Sequence, residues 1–141
     1  MEKESLEILL RGQQPLVICP ARNIKRLRLP TEWRKPYTAG RLLVLSPFAA
    51  RQQRPTAALA EHRNRFVATL ATNILVAYAG PGSRTAQLCT ELVSQHRRVY
   101  TLDLPENAHL RQRGVMGYAL HDLVALLRPP QGNHAALAAR A

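Results

Sequence analysis

Two groups of residues carry the chemistry available to this chain. Arg63, Asn64 and Arg65 stand together at the head of the segment RNRFVATL. Gly80, Gly82, Ser83, Arg84 and Thr85 lie in the turn-forming run GPGSRT. Guanidinium groups bind phosphate oxygens in a bidentate fork. Backbone N–H groups at a glycine-rich turn that opens a helix cradle the same anions, and the helix dipole helps. Both groups therefore point to a phosphate-bearing ligand. Each also has a plainer reading. Arg63 and Arg65 would serve as a solvated helix face or as partners of Glu61, and Ser83 would serve as an ordinary helix N-cap.

The charge balance bears on this choice. The 141 residues carry 20 Lys or Arg against 9 Asp or Glu, a net charge of +11 with a pI near 11.0. The imbalance is uneven, because Glu32 and Glu61 are the only acids between Ile8 and Thr90. A basic surface of this kind implies polyanions: nucleic acid, nucleotide phosphates or an anionic membrane surface. An Arg-rich genome would explain the preference for Arg over Lys but not the shortage of acids.

Other chemistries find less support. Cys19 and Cys89 each lie inside an apolar run, where a free thiol behaves as a small hydrophobe, and a reducing compartment is expected. His62, His96, His109, His121 and His134 are scattered and make no metal spacing with the cysteines. No cofactor is expected. Trp33, Tyr37 and Phe48 are interleaved with Arg34, Lys35 and Arg51, and rings so placed can stack on bases. Packing is the preferred reading for Trp33. The N-terminal run lacks the order of a signal peptide and no apolar run approaches a membrane span, so a cytoplasmic location with no membrane contact is expected.

The elements that position these groups follow from the apolar pattern. Residues 2–11 read as a helix stopped by Gly12, and Leu16–Cys19 as a buried strand ended by Pro20. Residues 21–40 read as a long basic loop with room for a short helix. Leu42–Leu45 is the second strand. Thr56 is an N-cap for a helix running to Ala71. Ile74–Ala79, apolar on both faces, suits a central parallel strand. A helix follows Ser83 to His96, Val99–Leu102 is the fourth strand, and a last helix spans His121–Leu127. No sequence repeat is evident. The alternation predicts one α/β domain over residues 1–128, with an open, mostly parallel, Rossmann-like sheet of four strands, helices on both faces, and a disordered tail at 129–141.

At these residues the chain resembles the DprA/Smf DNA-processing family, of the Rossmann-like superfamily that includes the LOG proteins. The resemblance rests on LVLSP (Leu43–Pro47), RNRFVATL (Arg63–Leu70), Tyr78-Ala79-Gly80, Gly82-Ser83 and Thr85-Ala86, with NAHLRQRG (Asn107–Gly114) and His121-Asp122-Leu123 further on. The family's first strand unit and its C-terminal winged-helix domain have no counterpart, which would make this a reduced relative. The resemblance implies a non-catalytic single-stranded DNA-binding module, with Ser46, Arg63, Asn64, Arg65, Gly80, Gly82, Ser83, Arg84 and Thr85 at the phosphates. It also implies a RecA-type recombinase as partner and a homodimer. Together with the charge imbalance it favours phosphate contact at Arg63 and Arg65. A nucleotide-binding or nucleotide-processing domain is the alternative. The LOG-type cleavage of a nucleotide's glycosidic bond needs a Glu where Leu88 stands, with Glu91 a turn late, so that hydrolase is disfavoured and no catalytic residue is assigned.

Overall fold

The computed structural model describes residues 2–119 and 121–122. Helices and strands alternate: α1 (Glu2–Arg11), β1 (Leu16–Ile18), α2 (Thr31–Thr38), β2 (Leu42–Val44), α3 (Ala57–Leu70), β3 (Asn73–Val76), α4 (Arg84–Ser94) and β4 (Arg98–Leu102). A 3-10 turn (Pro105–Asn107), α5 (Ala108–Arg111) and β5 (Met116–Tyr118) complete the order. The fold is α/β, and every strand pair is parallel. β1 pairs with β2, and β3, β4 and β5 form a second sheet in that order.

Two expectations are corrected here. Among the described residues there are five strands in two sheets, rather than four strands in one. β3 is an edge strand of its sheet, with Leu75 exposed, and the central place belongs to β4, where Val99, Tyr100 and Thr101 are buried. The short helix for which residues 21–40 left room is Thr31–Thr38, formed despite Pro36, which is buried. The expected last helix and tail fall outside the described residues, apart from His121 and Asp122.

Local signals account for the helix starts. Thr56 and Ser83 each accept a hydrogen bond at the first turn, from Leu59 N and Ala86 N, both at 3.2 Å. The core lies where α4 meets β4 and α5. Ala86, Cys89, Leu92, Val99, Leu110 and Val115 pack there with Ala68 and Ala79. Leu110 is completely buried, a side chain whose burial is worth about 1.5–3 kcal/mol. Asn107, also completely buried, donates from Nδ2 to Ala77 O (2.9 Å) and Leu102 O (3.1 Å). It thereby joins the carboxyl ends of β3 and β4.

The helix ends are built to a common plan. Gly40, His96 and Gly114 take the left-handed conformation, at φ 68°, 58° and 89°. At each, two backbone bonds close the helix. Gly40 N donates to Tyr37 O (3.0 Å) and Arg41 N to Pro36 O (2.9 Å). His96 N donates to Val93 O (2.9 Å) and Arg97 N to Leu92 O (2.9 Å). Gly114 N and Val115 N do the same at Arg111 O (2.9 Å) and Leu110 O (3.2 Å). This is the Schellman arrangement, and each one delivers the chain directly into a strand.

At two of these bends the next residue is an arginine whose side chain closes a different helix. Arg41 Nη2 donates to Leu10 O (2.6 Å) and Nη1 to Gln14 O (2.8 Å), at the end of α1. Arg97 Nη2 donates to Ala68 O (2.7 Å) and Ala71 O (2.5 Å), at the end of α3. The order helix, strand, helix, bend, arginine, strand thus occurs twice, in residues 2–44 and 57–102. The sequence shows no repeat; the structure repeats a joint.

Arg97→Met removes both carbonyl contacts while keeping much of the apolar stem. It is expected to destabilise the fold by about 2 kcal/mol in urea unfolding, the range for hydrogen bonds from a charged donor. Arg98→Met, at an exposed neighbour, is expected to change stability by less than about 0.5 kcal/mol. Equal effects from the two would remove the cap as the cause.

Candidate functional site

None of the residues singled out in the sequence for phosphate contact lines either of the two clefts described below. Arg65 and Arg84 are exposed, but both are engaged by carboxylates. Arg65 Nη2 lies 3.0 Å from Glu91 Oε1, its Nη1 bonds the other Glu91 oxygen, and Glu61 Oε1 is 3.5 Å away. Arg84 Nη1 lies 3.2 Å from Glu61 Oε2. The two acids and two arginines form one network bridging α3 and α4. Arg63 is half-buried and donates from Nη1 to Cys19 O at 3.0 Å, tying α3 to the end of β1. Asn64 is half-buried beside it.

The Gly80–Thr85 run is a strand-to-helix turn closed from within. Ser83 N donates to Gly80 O (3.1 Å), Gly82 takes φ 71°, and the Ser83 hydroxyl caps α4. Thr85, in the first turn of α4, is half-buried. Burial pushes the Cys19 thiol up, against the opposing pull of the Arg63 charge, and burial pushes Cys89 up as well. Neither thiol is poised as a nucleophile. Among the described residues no three His, Cys, Asp or Glu side chains cluster to hold a metal.

Ser46 leads to the cleft that the other residues do not form. Its hydroxyl donates to Arg22 O (2.8 Å) and accepts from Phe48 N (3.2 Å). Asn23 locks the same two loops together. Its N donates to Gln52 O (2.7 Å), its Nδ2 donates to Phe48 O (2.6 Å), and its Oδ1 accepts from Lys25 N (2.8 Å). Phe48, 6% exposed, anchors the second loop and meets the His62 ring of α3 at 5.5 Å between centroids. These two loops leave the carboxyl ends of the paired strands β1 and β2, where open α/β sheets place their ligands. Between them lies a cleft of about 240 Å³ lined by Arg22, Asn23, Lys25, Arg26, Leu27, Ala50 and Gln53. Three cations face it and, among the described residues, no acid does.

No family profile, curated protein or solved structure matches this chain. Arg22, Lys25 and Arg26 are exposed, and their side chains have no hydrogen-bond or ion-pair partner among the described residues. In the sequence they read only as members of a basic loop. The available signal was their spacing: three cations within five residues, just after a strand, with Asn23 among them. An Asn that turns back on its own backbone two residues later is a turn-builder. It converts a flexible basic run into a fixed wall.

The Arg65–Glu91 pair gives a test of how the other cations are employed. The Arg65 guanidinium, hydrogen-bonded to it, holds the Glu91 carboxyl below its ordinary range. A carboxyl lowered in the folded state adds stability above its unfolded value and loses it as pH falls through the folded value. Wild type should therefore melt slightly above Glu91→Gln at neutral pH and low salt. The gap should close below about pH 4, as the carboxyl protonates. A gap that persists at pH 2 would show that Glu91 acts by something other than its charge.

Proposed function

We propose that this chain is a non-catalytic nucleic-acid-binding module that holds single-stranded DNA by its phosphates, as the likeness to the DprA/Smf family implies. The observation that carries the reading is the cleft at the ends of β1 and β2, with three cations and, among the described residues, no carboxylate to neutralise them. At about 240 Å³ the cleft is smaller than the ~300–1,000 Å³ pockets that enclose whole small ligands. It suits a phosphate of a strand that continues past it better than a swallowed mononucleotide. Arg65 and Arg84, engaged by Glu61 and Glu91, are secondary in this reading, and Ser46 positions the cleft wall. Among the described residues no helix is long and apolar enough to cross a membrane. A cytoplasmic location and a RecA-type recombinase as partner belong to the same proposal.

Binding of a labelled thymidine oligonucleotide should weaken steeply with salt, because counterions released by the strand return. Replacing Arg22, Lys25 and Arg26 together by Ala should flatten the log–log salt slope by about 2, at ~0.7 per lost phosphate contact on a single strand. Arg65→Ala with Arg84→Ala should leave the slope nearly unchanged. Thermal stabilisation by a mononucleotide without any oligonucleotide binding would favour the nucleotide reading instead.

Self-association is part of the proposal. Val17 and Leu43 sit opposite each other in the β1–β2 register and are 58% and 55% exposed, an uncovered apolar pair on one face of that sheet. A second copy of the chain would cover it in a two-fold dimer. Light scattering after size exclusion should give twice the chain mass, and Val17→Lys with Leu43→Glu should give a folded monomer. A wild-type monomer at high concentration would remove the dimer and leave the cleft reading intact.

A further inference from the structure

The basic cleft does not stop at Arg26. Leu27 also lines a second, more open cleft of about 490 Å³, with Arg28, Leu29, Arg34, Tyr37 and Thr38. The two clefts adjoin at Leu27 and are lined together by five cations and, among the described residues, no acid. Of the three rings interleaved with basic residues, Phe48 is buried and Trp33 is half-buried, whereas Tyr37 is 50% exposed. Its hydroxyl has no hydrogen-bond partner among the described residues. Tyr37 stands in the last turn of α2, a helix fixed by buried Pro36 and by the two backbone bonds that close at Gly40 and Arg41. One of those bonds is accepted by the carbonyl of Tyr37 itself. The ring is thus a large apolar surface held on a rigid element, open to solvent, beside Arg28 and Arg34.

We propose that Tyr37 is a stacking platform for an unpaired base of the strand whose phosphates lie along Arg22, Lys25 and Arg26. The proposal rests on the phosphate reading of the first cleft and adds the class of ligand. A ring face stacks on any base that is free of its partner, and it finds no such face in an intact duplex. Phosphate contacts alone would hold both forms. Tyr37 is what would make the site select single strands, with little regard for sequence.

The test compares full-length wild type and Tyr37→Ala on three probes at fixed ionic strength: a thymidine oligonucleotide, an abasic oligonucleotide of equal length, and a duplex. Tyr37→Ala should weaken binding of the thymidine strand roughly tenfold, within the range measured for one base–aromatic stack. The abasic strand should bind wild type and variant alike, and the salt slope should not move. Tyr37→Phe should retain wild-type affinity. Tyr37→Leu, which keeps apolar bulk, should lose affinity as Ala does, and a thermal melt reports whether each variant is folded. Equal loss on the thymidine and abasic strands, no loss on either, or wild-type binding to duplex as tight as to single strand would overturn the platform. If the Arg22, Lys25 and Arg26 substitutions still abolish binding in that case, the phosphate reading survives. No binding of any probe by wild type at low salt would overturn both.

Discussion

The last carbonyls of a helix need partners, and at α1 and α3 arginines from the heads of neighbouring strands supply them. Arg41 at the head of β2 closes α1, and Arg97 at the head of β4 closes α3. Arg63 bonds the carbonyl at the end of β1 in a related way. A guanidinium carries several donors in a rigid fork, so one side chain can satisfy two carbonyls that no backbone group reaches. Its positive charge also complements the negative end of the helix dipole. With strands of three to five residues, the ladders alone offer few bonds. Side-chain bonds across the joints fix where each helix lies relative to the strand beside it.

This changes what the net charge of +11 means. The cations fall into groups with different employment. Arg41, Arg63 and Arg97 bond backbone carbonyls. Arg65, Arg84 and Arg111 face carboxylates, the last at Asp103. Among the described residues, those along the two adjoining clefts do neither. A positive potential therefore gathers where acids are absent and where internal partners do not absorb it. The surface is basic in a direction, not merely in total.

Much of the architecture was legible because the short parallel strands read as plain apolar runs, even in β1 and β2, where Val17 and Leu43 leave one face exposed. Leu16–Ile18, Leu42–Val44 and Val99–Leu102 all announce themselves in this way, and Thr56 and Ser83 announce the helices that follow them. β5 was hidden because Met116-Gly117-Tyr118 has no apolar run and carries a glycine. α2 was obscured by Pro36, whose missing N–H matters little in a helix this short and whose ring is buried. The site was the least legible part. Arg63-Asn64-Arg65 reads as a phosphate motif, but a sequence cannot show that Glu91, from another helix, comes to lie against Arg65. Conversely, Arg22, Lys25 and Arg26 look like a solvated run until Asn23 and Ser46 are seen to fasten that loop to the next.

The parallel pairing has a kinetic side. No strand here can meet its partner through a tight hairpin, because α2, α4 or α5 must first close the distance between each pair. Chain closure therefore comes before the ladder bonds that reward it, and such topologies fold slowly for their size. The arginines at the heads of β2 and β4 reach carbonyls on elements that come before the crossover, so their bonds form only once the crossover is complete. Contacts that form after the folding transition state leave the folding rate alone and act on the rate of opening. For such contacts a guanidinium is a latch on the lifetime of the folded chain rather than a guide to it.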